Sequence, residues 1–313
     1  MTEQDNMIEV VRDSVQTWQC DAMGHMNVQF YSARAASGLA VLGTALGLGP
    51  SYARAHGARL VAHDQHIRFL REQRPGAPYY IKAGIVDAHD EGFKIYQELV
   101  NTASGVVGAT FTSDVGLYAT QARDGNRPRV GLPEEAREKA RAYLCHIPAH
   151  GQAKGLDLAA PQSPPALADA IAKNMPCIYQ GEVLPDLGDI DGFLQTRAYM
   201  GMVSDGIPNL LVQTAGEDRS ANDKVGGAAL EYRFVYHAAP RIGDLITIRS
   251  GLKMIGTKTY NWCHWMFDVE TGKAVATAEA VAVALDLVAR KAIDIPPGVR
   301  GQLERNLIPG LTV

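Results

Sequence analysis

With 313 residues, 46% apolar and 20% charged, the chain is long enough for two ordinary globular domains. A net charge of −4 argues against a nucleic-acid partner. The longest apolar run is broken by Arg34, Ser37 and several glycines, too short and too polar to cross a bilayer. The opening residues Met1-Thr2-Glu3-Gln4-Asp5-Asn6 carry no apolar signal core. Four scattered cysteines (Cys20, Cys145, Cys177, Cys263) form no CxxC pair, so the expectation is a reduced cytoplasm with no disulfide frame and no zinc knuckle.

Residues 8–15, with Ile8, Val10, Val11 and Val15, predict a short strand. Then comes Cys20-Asp21-Ala22-Met23-Gly24-His25-Met26-Asn27-Val28-Gln29-Phe30-Tyr31. It sets a carboxylate, an imidazole and an amide ahead of an Ala/Leu/Gly-rich run, Ala33 to Leu48, which predicts a buried helix ended by Gly47, Gly49 and Pro50. Locally the stretch has two readings. It is a turn at Gly24 with Asn27 as cap, or a place where free helix N–H groups and polar side chains meet a developing negative charge. Residues 58–70 alternate as a strand, with Val61, Ile67 and Phe69 on one face. Strand-like runs follow at 79–87, 93–101 and 106–118, separated by turn residues Asp90-Glu91-Gly92 and Ser104-Gly105. Residues 132–144 predict an amphipathic helix with Pro133 in its first turn.

From 145 to 176 the pattern lapses into a Pro/Gly/Ala-rich linker or surface excursion. Beyond Ile178 the first half is repeated. Arg68-Phe69 and Arg233-Phe234 match at an offset of 165, as do Pro75 with Pro240 and Ile81 with Ile246. Leu132-Pro133…Arg137 is echoed by Ile295-Pro296…Arg300. Matches in one order at nearly one offset predict a duplication. The domains are then 1–144, a linker 145–176, and 177–313. Each half is a strand, a long apolar helix and four mostly antiparallel strands, an α+β unit whose sheet must wrap the helix to bury it.

That unit resembles the hotdog fold, and the chain a tandem pair of hotdogs. The motif Asp21-x-x-Gly24-His25-Met26-Asn27-x-x-x-Tyr31 is similar to the signature of the 4-hydroxybenzoyl-CoA thioesterase-like hydrolases and resembles that of acyl-ACP thioesterases. His66-Ile67-Arg68-Phe69-Leu70 with Arg74-Pro75-Gly76 looks like the second strand and turn of that family. The resemblance implies hydrolysis of an acyl-CoA or acyl-ACP thioester. Catalysis would fall to Asp21, His25 and Asn27, and substrate contacts to Gly24, Met26, Val28, Tyr31 and His66. It implies an intrachain pseudo-dimer, free to pair again as a homodimer, with water as the only co-substrate and no cofactor. At the 165 offset Asp21 falls on Asp186, Gly24 on Asp189, His25 on Ile190 and Asn27 on Gly192, which predicts one working site, in the first half. A lyase that hydrates or dehydrates an acyl thioester and a non-catalytic acyl-thioester binder are the alternatives.

The chemistry suits the residues. A thioester is already activated, and a thiol of pKa about 8.5 leaves without strong acid help. A carboxylate must activate water or attack the carbonyl, and N–H donors must hold the oxyanion. Asp21 fits the first role, and backbone N–H groups from Met26 to Val28 fit the second. His25 would orient water or meet the departing sulfur, and Asn27 would fix water or the carbonyl. His63, Asp64 and His66 invite a metal, but only Asp64 and His66 share a strand face, short of a closed zinc site. Cys20 reads as packing, Trp262 and Trp265 as second-half core, and Asp205 as a pocket liner or a solvent-facing carboxylate near Pro208, which is expected to end its helix.

Overall fold

The computed structural model describes residues 5–121, 127–215 and 225–313, so the opening residues 1–4 lie outside it. The chain divides into two units: residues up to Gln152 with Gln195–Met200, and Ala153–Leu194 with Gly201–Val313.

In the first unit β1 (Ile8–Ser14) leads to α1 (Val28–Ala45) and α2 (Pro50–His56). Then follow β2 (Ala58–Phe69), β3 (Pro78–His89), β4 (Gly92–Asn101), β5 (Val107–Ala119), the two-residue β6 (Arg129–Val130) and α3 (Glu134–Ala140). The sheet is antiparallel in the order β1-β3-β4-β5-β2, with β6 on β5. Helix α1 lies against β1, β2 and β3. It starts five residues before the predicted Ala33, because Asn27 caps it directly: Oδ1 accepts the Gln29 N–H at 3.1 Å. Its buried residues Tyr31, Ser32, Ala35, Gly38 and Leu42 recur at three and four, one stripe of the cylinder. Gly38 allows a close approach to β4: a Cβ there would lie 2.4 Å from Gln97 Nε2, which donates to the Ala35 carbonyl at 3.1 Å.

Strand alternation fixes two faces. Phe69 meets Tyr31 of α1 edge to face at 5.2 Å, so Gln65, Ile67 and Phe69 face the helix, with Ile95, Gln97 and Phe111. His66 and Arg68 face the other way, with Tyr96 and Glu98.

The second unit repeats the plan. It has α4 (Leu167–Ala172), β7 (Cys177–Glu182), α5 (Thr196–Ala215, whose start through Met200 groups with the first unit), β8 (Val225–Tyr236) and β9 (Leu245–Ile255). β10 (Thr259–Asp268), β11 (Ala274–Asp286), β12 (Lys291–Ala292) and α6 (Pro297–Arg305) complete it. The order is β8-β11-β10-β9-β7, with β12 on β11. Pro208, expected to end its helix, lies inside α5. Side chains just beyond it tie the helix to β7. Asn209 Nδ2 donates to Ile178 O at 2.9 Å and Gln213 Nε2 to Cys177 O at 2.8 Å. Trp265 and Cys263 pack with Phe267, Met175 and Leu311, and Asp205 is exposed.

The stretch 145–176 is well tied. Arg68 donates to the carbonyls of His150 (2.6 Å) and Gln152 (3.0 Å), and His150 Nε2 lies 2.6 Å from Glu98. In the second unit Arg233 donates to Asp157 O at 3.0 Å, and Glu231 accepts the N–H groups of Lys154 and Gly155. The repeated Arg-Phe pair thus has a physical meaning: in both copies the Arg holds the connecting segment, and the Phe, one step along the strand, lies on the opposite face of the sheet. Among the described residues no helix is long and apolar enough to cross a membrane, and all four cysteines are free.

Two stability predictions follow from this packing. Leu42 on α1 is fully buried. Leu42→Ala should cost about 2–5 kcal/mol in urea unfolding, and a change below about 1 kcal/mol would deny α1 its central place. His264, also fully buried, hydrogen-bonds Ser250 at 2.7 Å, and burial pushes its imidazole down to about 3. The unfolded histidine, near 6.5, binds a proton that the native one refuses. Its contribution is whole above pH 6.5 and drains away as pH falls toward 3. His264→Gln should flatten stability measured between pH 6.5 and 4; an unaltered slope would place the acid loss elsewhere.

Candidate active site

The site is built where a single 3₁₀ turn (Thr17–Gln19), the loop 20–27 and the turn after β2 meet at the start of α1. Gly24, at φ +74°, closes the loop: its N–H donates to Asp21 O, and the Asp21 N–H donates to His25 O, both at 3.0 Å. Asp21 Oδ1 accepts the Met23 N–H at 2.9 Å, while Oδ2 lies 3.6 Å from His25 Nδ1. That nitrogen is also 3.4 Å from the Met26 carbonyl. Two acceptors on one side assign the proton of the neutral ring to Nδ1. On the other side Nε2 lies 3.9 Å from Glu72, which is itself 3.6 Å from Arg74. Asp21 and His25 are partly exposed, at 29% and 21% of their side chains, so water reaches both.

The turn after β2 is docked by its backbone. Met26 N–H donates to Gln73 O at 2.8 Å, and the Tyr31 hydroxyl is hydrogen-bonded to the Gln73 backbone. Tyr31 is buried and its phenol held well above its ordinary pKa by that burial. It serves as a packing residue under the site. Asn27 N–H donates to Gln19 O at 2.8 Å, so two of the three amides expected to hold an oxyanion are already used within the fold. Gln29 N–H goes to the Asn27 side chain and Phe30 N–H to the Asn27 carbonyl. That leaves Val28, the first residue of α1, where a helix N–H has no partner in its own helix.

The structure therefore brings together Asp21, Gly24, His25, Asn27 and Val28 of the expected set, with Met26 and Tyr31 buried beneath them. It does not bring His66. That side chain is buried on the face of the sheet turned away from α1, since it alternates with Gln65 and Ile67. Nothing local in the sequence distinguishes Glu72, which sits in an Arg/Glu-rich turn. Cys20, beside Asp21, has its thiol pushed up by burial and by the Asp21 charge, which leaves it protonated and a poor nucleophile.

The second copy has the same loop in a different register. Asp189 N–H donates to Phe193 O and Gly192 N–H to Asp189 O, Gly192 has φ +80°, and Leu194 N–H donates to Pro240 O. These are the bonds of Asp21, His25, Gly24, Met26 and Gln73. The local offset is 168, so the constant 165 misplaced the match by three residues: Asp21 corresponds to Asp189, Gly24 to Gly192, His25 to Phe193 and Asn27 to Gln195. The second unit has three residues fewer between this loop and Arg233 than the first has before Arg68. It keeps the acid and the glycine but lacks the imidazole. The Asp189 Oδ1 accepts the N–H groups of Asp191 and Phe193, at 2.8 and 3.0 Å.

The sequence pattern of the thioesterase-like superfamily matches residues 15–171 and 185–303. The chain belongs to the thioesterase-like superfamily. Both matched segments of this superfamily member contain one loop–helix–sheet repeat. A provisionally assigned oleoyl thioesterase from Lactobacillus plantarum aligns over 88% of this chain and 95% of its own, at 12% identity and a TM-score of 0.66. An acyl-ACP thioesterase from Bacteroides thetaiotaomicron aligns over 90% and 100%, at 11% and 0.62. A 12:0-ACP thioesterase from Umbellularia californica aligns over 89% and 94%, at 11% and 0.65. At such identities the likeness establishes the tandem hotdog fold of this thioesterase-like chain. No curated protein sequence matches it. Membership of the superfamily supports thioester hydrolysis as the general class of chemistry.

The cap role of Asn27 can be separated from any other. Asn27→Ala should cost about 1 kcal/mol of stability, and Asn27→Asp, which keeps the accepting oxygen, much less. Equal losses in thermal unfolding would mean that the cap bond is not what Asn27 supplies to the fold.

Proposed function

We propose that the protein hydrolyses an acyl-CoA or acyl-ACP thioester at the start of α1, with Asp21, His25, Asn27 and Glu72 as the working side chains. The observation that carries this is one cluster: an imidazole flanked by two carboxylates, at 3.6 and 3.9 Å, beside the open N–H at the first residue of a buried helix. The loop of residues 1–144 supplies it, and residues 177–313 take the place of the second subunit of a simple hotdog pair.

In this reading the thioester carbonyl oxygen points at the Val28 N–H, where the helix dipole favours negative charge. Asp21 removes a proton from water as the water oxygen adds to the carbonyl carbon. The tetrahedral oxyanion collapses, the carbon–sulfur bond breaks, and the electron pair leaves with sulfur. The proton taken by Asp21 passes to the thiolate directly or through His25, which leaves a carboxylic acid and a thiol. Direct attack by the Asp21 carboxylate, followed by hydrolysis of the anhydride, uses the same geometry. Glu72 holds the imidazole from its far side, and the Asn27 amide orients water or the carbonyl. In the Asp189 loop Phe193 stands in place of the imidazole.

The test is thiol release from a panel of acyl-CoA and acyl-ACP thioesters, with enoyl absorbance followed in parallel. Asp21→Asn should reduce kcat by at least about 10²-fold, as loss of a general base does. Glu72→Gln should cost less, and Asp189→Asn should leave kcat within about threefold of wild type in the folded protein. Enoyl change without thiol release would make the protein a lyase, and binding with neither would make it a carrier. Equal damage from Asp21→Asn and Asp189→Asn would defeat the single-site assignment.

A further inference from the structure

The helix-facing side of the first unit's sheet carries two buried glutamines, Gln65 on β2 and Gln97 on β4, 3% and 2% exposed. Gln97 is used by the fold, since its Nε2 bonds the Ala35 carbonyl. Gln65 is only half used. Its Nε2 donates to Ser113 Oγ at 3.0 Å, while its buried Oε1 has no partner among the described residues. Turning the amide over does not remove the defect. Ser113 would then donate to Oε1 and leave Nε2 alone, because a hydroxyl serves either way. Half of this carboxamide is unsatisfied in both settings, a cost of the kind that marks a place for something else. Gln65 and Ser113 edge a small cavity beside α1, with Ala35, Ala36, Leu39 and Ala62 among its walls.

We propose that this cavity is the far end of the acyl subsite and that Gln65 receives a hydroxyl carried by the acyl group. The proposal rests on the thioesterase reading above. A hydroxyl both donates and accepts, so it completes Gln65 in either amide orientation. A charged group is disfavoured, since none of the residues lining the cavity is ionisable. Ala35 and Leu39 lie seven and eleven residues beyond Val28, roughly 10–16 Å along the helix at 1.5 Å per residue. The hydroxyl is therefore remote from the thioester carbonyl, at the ω end of a chain or on an aromatic ring, and not on the second or third carbon. A trapped water is the rival occupant.

The experiment compares ω-hydroxyacyl and plain acyl thioesters of coenzyme A in matched chain lengths. The readouts are kcat/KM and, with the corresponding non-hydrolysable thioethers, Kd. Wild type should favour the hydroxyl partner at its best length by at least about tenfold in both. In Gln65→Leu the ratio should fall to one or reverse. Each ratio is taken within one protein preparation, so partial misfolding of the variant cancels. A wild type that uses the plain chain equally or better overturns the proposal and leaves water in the cavity, as does a Gln65→Leu protein that keeps the hydroxyl preference. Lack of turnover with every thioester would instead sink the thioesterase reading, and the thioether affinities would still decide the hydroxyl question.

Discussion

The candidate site depends on the hydrogen bond from the Met26 N–H to the Gln73 carbonyl, 2.8 Å long. It joins the start of the buried helix to the turn after β2, two segments that are remote in sequence. The same turn holds the Tyr31 hydroxyl and so sets the roll of α1 against the sheet. Glu72 reaches His25 only because its neighbour Gln73 is fixed in this way. The bond also uses the Met26 amide, so the geometry that assembles the charged cluster narrows the proposed anion site to Val28. Rigidity comes from backbone bonds and buried packing, while the Asp21 and His25 side chains stay partly exposed to water.

Much of the fold was legible because it is written in periodicity. Alternation in β2 to β5 and the Ala/Gly-rich stripe of α1 are physical requirements of a sheet closing on a helix. The loop was legible too, since Gly24 must take a left-handed turn and Asn27 must cap. What escaped notice was set by distance in the chain or by a single step in register. Glu72 became visible only when the turn was docked on the helix. His66 looked like a site residue, but one position along a strand moves a side chain through the sheet, and Gln65 is the neighbour that faces the helix. The repeat was recognised from Arg-Phe pairs, yet a fixed offset could not absorb the three residues gained or lost between loop and strand. The local rule at Pro208 predicts a stop, whereas side-chain bonds from Asn209 and Gln213 hold the helix beyond it.

The two copies divide structural and chemical demands. In both, the arginine of the Arg-Phe pair holds a piece of the connecting segment, and a proline-led helix closes the unit: Pro133 precedes α3 and Pro296 precedes α6. Even the anchoring of these helices is shared, since Arg137 pairs with Asp90 at one hairpin and Arg300 bonds Gly256 at the other. The scaffold is thus kept in duplicate and the imidazole is not.

Asp189 shows what that division does to the history legible in a sequence. Its carboxylate accepts two backbone N–H groups of its own loop, so the turn needs the acid whether or not any reaction takes place there. A residue that the loop itself requires is not, by its presence alone, a mark of catalysis.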